Sequence, residues 1–242
     1  MEINNRVINL MCLMAEHGYV TEKDNQNYAL PRTTGFRYFY VLHDLGFIDS
    51  FETHLSPKMA YCLTDAGYKY LESTGKLKVI KRFVKSDYQM SQFFHTNLVL
   101  QLRLIFQKHP WVADYRPEKV VAYYNALAGI KEQSKLCDAE MIVKAPKSRY
   151  KVGLELELTS KSFKRLIGII KHIDVNREDL NIVLWVASNE VIIRNLQRAI
   201  KTLLPHLRHA NKHLFTLWND LNSKQINTVW CNAEGRKTKL FD

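Results

Sequence analysis

At 242 residues, 46% of them hydrophobic, the chain can bury one large core or two small ones, which excludes a disordered or peptide-sized protein. The formal charge of +11 is uneven: residues 1–90 hold 11 basic and 10 acidic residues, whereas 91–242 hold 24 and 14, and a basic second part points to a polyanion, nucleic acid first, as partner. Apolar stretches are too short for a membrane span, the N-terminus lacks a signal-peptide pattern, and Cys12, Cys62, Cys137 and Cys231 have no zinc or disulfide spacing. The expectation is a cytoplasmic chain with free thiols and no membrane insertion.

Residues 5–17 place Val7, Ile8, Leu10, Met11 and Met14 at helical spacing before Gly18, which predicts a first helix. After a polar stretch and Pro31, Thr33 and Thr34 offer a cap for a second helix through Phe36, Phe39, Tyr40, Val41 and Leu42, so the pair reads as a helix-turn-helix. Strands at 47–51 and 59–63, then a capped helix from Thr64, make a wing. The run Tyr61-Cys-Leu-Thr-Asp-Ala-Gly67 looks like the strand-to-helix step of winged-helix repressors. In such a domain, here residues 1–75, the helix after the turn enters the major groove. Arg32, Thr33, Thr34, Arg37 and Tyr38, with Lys58 on the wing, are then the expected DNA contacts. A winged helix used for protein contacts is the alternative that the near-neutral charge of this half leaves open.

Residues 76–90, with Lys76, Lys78, Lys81, Arg82 and Lys85 and little periodicity, are expected to form a basic linker. Residues 91–108 predict a long helix containing His95, 111–124 one or two strands, and 135–143 and 152–159 two more across a basic turn. An amphipathic helix from Ser162 to Ile173, a strand of the type buried on both faces at 181–187, and a helix from Val191 to Leu204 follow. Residues 213–218 and 228–231 add edge strands. The second part, 91–242, is thus an α/β domain with a mixed central sheet and crossovers.

Two of these strands carry acids. Glu155 and Glu157 alternate with Leu154, Leu156 and Leu158, so they share one face, and a hairpin pairing brings Asp138 opposite the end of the second strand. Clustered carboxylates repel one another unless a hard divalent cation neutralises them, and Mg²⁺ or Mn²⁺ takes such oxygen ligands. Alternatively, both glutamates lie on the solvent face of an edge strand, neutralised by Lys144 and Lys151. Glu118 lies upstream, where a surface position beside Lys119 is the simpler reading. Tyr123-Tyr124 reads as a chance doublet among 12 tyrosines. His206, His209 and His213 would share one helical face able to bind a metal, but Arg208 and Lys212 between them favour a solvated or phosphate-facing end. There is no phosphate-binding glycine loop and no nucleophile elbow.

The order of helix, three strands, helix and strand, with Asp138 on the second strand and Glu155-x-Glu157 on the third, resembles the PD-(D/E)xK fold of restriction endonucleases, Cys137 standing for the proline and Glu157 for the usual lysine. With the winged helix, Phe93-Phe-His-Thr96, Cys137-Asp-Ala and Leu154-Glu-Leu-Glu-Leu-Thr159, the chain resembles the replication-relaxation family, and within it the MobC-type plasmid mobilisation relaxases. That resemblance implies a metal-dependent endonuclease that binds double-stranded DNA at a plasmid origin of transfer. It would nick one strand by hydrolysis, without a tyrosine nucleophile, and work beside a coupling protein or other relaxosome components. It implies Asp138 and Glu155 as metal ligands, Glu157 as a ligand or helper of the base, and either Lys161 or Lys171 as the cation facing the phosphate. The alternative is a non-enzymatic winged-helix DNA-binding protein, a replication regulator or relaxosome accessory, with a degenerate nuclease domain.

Overall fold

The structure, a computed structural model, describes residues 3–21, 24, 32–53, 59–130, 136–146, 148–208 and 210–241, with the backbone alone at 32–36 and 210. It is mixed α/β, with eight α-helices and a seven-stranded mixed sheet among the described residues. By internal packing the chain divides into two units, Met1–Leu104 with Lys119–Lys131, and Ile105–Glu118 with Glu132–Asp242.

The first unit begins with α1 (Asn5–His17), capped by the Asn4 side chain, which accepts from the amides of Arg6 and Val7. Then come β1 (Val20–Thr21), α2 (Arg32–Asp44), β2 (Ile48–Glu52), β3 (Met59–Leu63) and α3 (Asp65–Ser73). The three strands form an antiparallel sheet in the order β1-β3-β2. Leu10, Met11 and Met14 of α1, Leu42 of α2 and Leu71 of α3 bury into one core. Helix α2 starts at Arg32, so Thr33 and Thr34 stand in its first turn instead of capping it. The cap expected at Thr64 forms: its hydroxyl accepts from the Gly67 amide at 3.2 Å and donates to the Gly46 carbonyl at 2.6 Å. Glycine is required at 67, where a Cβ would overlap the carbonyl oxygen of Phe47.

Residues 76–90 belong with this unit rather than bridging two. Val79 joins the core, and Phe83 packs with Tyr19 and Phe93 in an aromatic cluster. The cations around them had masked that pattern. Most of α4 (Met90–Phe106) also lies in this unit, so the expected boundary at 90 is not where the packing divides.

In the second unit β4 (Val112–Pro117) is followed by α5 (Glu118–Leu127), most of which counts with the first unit, where only strand was expected. Pro117 ends the ladder, Glu118 suits the first helical turn, and Val120, Val121 and Tyr124 recur at helical spacing with both valines buried. Then come β5 (Ala139–Ala145), β6 (Ser148–Glu157), α6 (Phe163–Asn176), β7 (Ile182–Ala187), α7 (Glu190–Leu203), β8 (His213–Leu217), α8 (Trp218–Lys224), β9 (Val229–Cys231) and β10 (Lys237–Lys239). The sheet order is β10-β9-β8-β7-β6-β5-β4, with β6, β7 and β8 parallel to one another and the remaining pairs antiparallel. Strand β8 is interior, not an edge, because β9 and β10 extend the sheet beyond it. Leu166 and Ile170 of α6 and Leu196 and Ile200 of α7 share a core with Val183, Trp185 and Ala187 of β7 and Phe215 of β8. Both crossover helices therefore cover one sheet face, as consistent crossover handedness requires. No helix among the described residues is long and apolar enough to cross a membrane.

Candidate active site

Asp138 ends the loop before β5, and the pairing Ala139↔Leu154, extended by one step, sets it across from Glu155. Its Oδ2 accepts from the Leu156 amide at 2.7 Å, which fixes the carboxylate against the β6 backbone. Glu155 pairs in register with Trp185 and Glu157 with Ala187, so both glutamates point to the face covered by α6 and α7. They are 2% and 1% exposed, which removes the reading of a solvated edge strand.

Glu157, at the end of β6, is ion-paired with Lys161 in the loop four residues on, while its Oε1 is buried with no hydrogen bond among the described residues. Glu155 Oε1 is likewise buried without a hydrogen bond among the described residues, so two acids of this face each carry an oxygen that burial leaves costly. Lys171 lies on the exposed side of α6, away from the helix face that packs on the sheet. Of the two candidate cations the fold thus brings Lys161 to the acids. Glu118 is an exposed residue whose backbone amide donates to the Asp138 carbonyl at 3.1 Å, so it borders the site as a helix start and not as a strand residue. His95 is half-buried on α4.

A fourth acid escaped the sequence reading. Glu140 is 2% exposed, two residues beyond Asp138 and thus on the same face; the Asp138-x-Glu140 alternation was the available signal. It is neutralised by Arg177, at the C-terminus of α6, and by Lys151 at 2.9 Å. Asp179 joins through Arg177 and Lys151. Burial opposes the charge on Arg177, yet its bonds to Asp179 and Glu140 push its pKa up overall; burial raises Asp179, and the same two cations more than reverse that, so it ends below the usual carboxylate range. Between Glu140 and Glu155 the face carries Gly153, where a Cβ would meet Leu180 Cδ1 at 2.8 Å and Cys137 Sγ at 2.9 Å. The Cys137 thiol is pushed well up, first by burial and then by the negative charge of Glu155, which disfavours its thiolate.

No group of three His, Cys, Asp or Glu side chains positioned to hold a metal ion occurs among the described residues. The expected histidine triplet does not form either. His206 sits in a short 3₁₀ turn, His209 lies outside the described residues, and His213 is buried on β8, where its Nδ1 accepts from Trp185 Nε1 at 3.0 Å. A helical wheel placed the three together; the chain turns into strand before the third.

In the first unit, Arg37 is exposed on α2, whereas Tyr38 is 7% exposed and packs into the core with Leu42, so its ring is not free to reach a groove. Helical periodicity puts Tyr38 on the same side as Leu42, a signal that was legible. Arg32, Thr33 and Thr34 fall on the first turn of α2, their side chains outside the description, and Lys58 lies outside the described residues. Compared with known proteins, the chain matches no protein family, no curated protein and no solved structure.

Proposed function

We propose that this chain is a metal-dependent DNA endonuclease of the plasmid mobilisation relaxase type, a winged helix-turn-helix joined to a PD-(D/E)xK-like nuclease domain. The observation that carries this reading is Asp138 set across from Glu155 at the head of an antiparallel β4-β5-β6 meander, with β7 parallel to β6 after a crossover helix. The helices and three-stranded sheet of the first unit, with the Thr64 cap, support a winged helix.

The donor chemistry suits Mg²⁺ or Mn²⁺, since the side chains are carboxylates on one face and Glu157 keeps a buried oxygen without a hydrogen bond among the described residues. Asp138, Glu155 and Glu157 would hold the ion, which when bound polarises the scissile phosphate and activates water. Asp138 is kept in position by the Leu156 amide. Lys161 holds Glu157 in the resting state and is the cation within reach of a phosphate once released from it. The partners in this reading are double-stranded DNA at an origin of transfer, read by α2 through Arg37, and other relaxosome components.

A second reading is favoured by a specific observation. Glu157 is already neutralised by Lys161, and no three-ligand group positioned for a metal occurs among the described residues, which suits a non-enzymatic DNA-binding protein with a degenerate nuclease domain. One experiment separates them: supercoiled plasmid carrying the cognate origin is incubated with wild type, Asp138→Ala or Glu155→Ala in Mg²⁺, Mn²⁺ or EDTA. Open circles from wild type alone, lost in EDTA, support the endonuclease; binding without nicking under every condition supports the second reading.

A further inference from the structure

We propose that the outer face of α7 is a second DNA-contact surface, a ridge that grips the phosphodiester backbone of duplex DNA; this rests on the DNA-binding reading above. Helix α7 is sharply two-sided. Ile192, Leu196, Ala199, Ile200 and Leu203 are buried, while Arg194, Arg198, Lys201 and Thr202 recur at helical spacing on the other side, exposed. Arg194, Gln197, Arg198, Lys201 and Thr202 line a surface groove of about 470 Å³, so charged and hydrogen-bonding side chains surround it, their aliphatic stems included.

None of the three cations forms an ion pair among the described residues. Like charges one turn apart disfavour a helix, so an uncompensated Arg194–Arg198 pair is a cost that a polyanion removes. The ridge is also held in shape. The Arg198 guanidinium lies 5.3 Å from the centroid of the Phe163 ring at the start of α6, and Gln197 Nε2 donates to the Asn232 carbonyl at 3.2 Å beside the β9–β10 turn. From Arg194 to Lys201 the helix rises about 10.5 Å, roughly the run of three phosphates along one strand.

Its position favours the same conclusion. Helix α7 begins three residues after Ala187, the register partner of Glu157, so the ridge starts at the acid end of the sheet. Exposed Lys164 and Arg165, next to Phe163, extend the positive surface to the start of α6.

The test uses the full-length chain and a fluorescent duplex of arbitrary sequence, titrated from 50 to 300 mM salt, with Arg194→Gln/Arg198→Gln/Lys201→Gln and the charge-keeping Arg194→Lys/Arg198→Lys beside wild type. The neutral triple should lower the slope of log K against log salt by about 2.7 and weaken binding several hundred-fold at 0.1 M salt, whereas the lysine variant keeps the wild-type slope. An unchanged slope in a triple variant with wild-type thermal unfolding overturns the ridge while leaving the DNA-binding reading intact. A wild type that binds no duplex at any salt overturns both. An equal loss of binding to phosphatidylserine vesicles would show a general anionic surface and overturn the assignment to DNA.

Discussion

Replacing His213 by asparagine should flatten the acid side of the stability curve. His213 is wholly buried on β8; its Nδ1 accepts the Trp185 indole N–H, so the proton sits on Nε2, which has no hydrogen bond among the described residues. Burial, aided by the positive charge of Lys212, holds its pKa down at about 3, against about 6.5 in the unfolded chain. Between those values the unfolded state binds the extra proton, so the stabilisation is complete above pH 6.5 and declines as pH falls. The slope is about 1.4 kcal/mol per pH unit, which amounts to about 2 kcal/mol at pH 5. In His213→Asn the amide oxygen takes the place of Nδ1 as acceptor for Trp185, and the titration disappears. The variant costs about 1–2 kcal/mol at pH 7.5 through lost packing, and that deficit should vanish by pH 5. Urea unfolding followed by tryptophan fluorescence reads the relevant unit, since Trp111, Trp185, Trp218 and Trp230 all belong to the second one. Parallel stability curves for the two proteins between pH 7.5 and 5 would refute the reasoning.

Lys161→Met should cost about 3 kcal/mol at neutral pH, because it strands a 1%-exposed carboxylate, and adding Glu157→Gln should recover most of that; a loss under 0.5 kcal/mol in urea would mean Glu157 does not depend on this pair. Gly67→Ala should cost about 3 kcal/mol by far-UV circular dichroism, since the new methyl collides with the immobile Phe47 carbonyl; a loss below 1 kcal/mol would show that the β3–α3 step relaxes freely. Arg37→Ala should weaken binding to the cognate origin by about 1–3 kcal/mol while leaving arbitrary duplex nearly unaffected; an equal loss on both would make Arg37 a phosphate contact.

Much of this architecture is legible in the chain. The α1 span, the Thr64 cap, the hairpin carrying Asp138 and Glu155, the buried strand at 182–187 and the two-sided α7 follow from local rules, because periodicity, capping and alternation act within a few residues. Those rules also put Glu155 and Glu157 on one face. Which face, and what covers it, depended on partners far away in sequence. The register Glu155↔Trp185 and the packing of α6 turned two plausible surface glutamates into buried ones. The same holds for Arg177, which finds Glu140 37 residues away, and for Lys171, which the packing of α6 leaves at the solvent while Lys161, ahead of that helix, pairs with Glu157. Where local preference was ambiguous, burial settled it. Residues 118–127 are helix since Val120 and Val121 find a core, Val79 and Phe83 draw a lysine-rich stretch into the first unit, and His213 is strand because its backbone joins β7. Short-range chemistry proposes elements from a few neighbouring side chains; the free energy of removing apolar surface from water, summed over residues distant in sequence, selects among them.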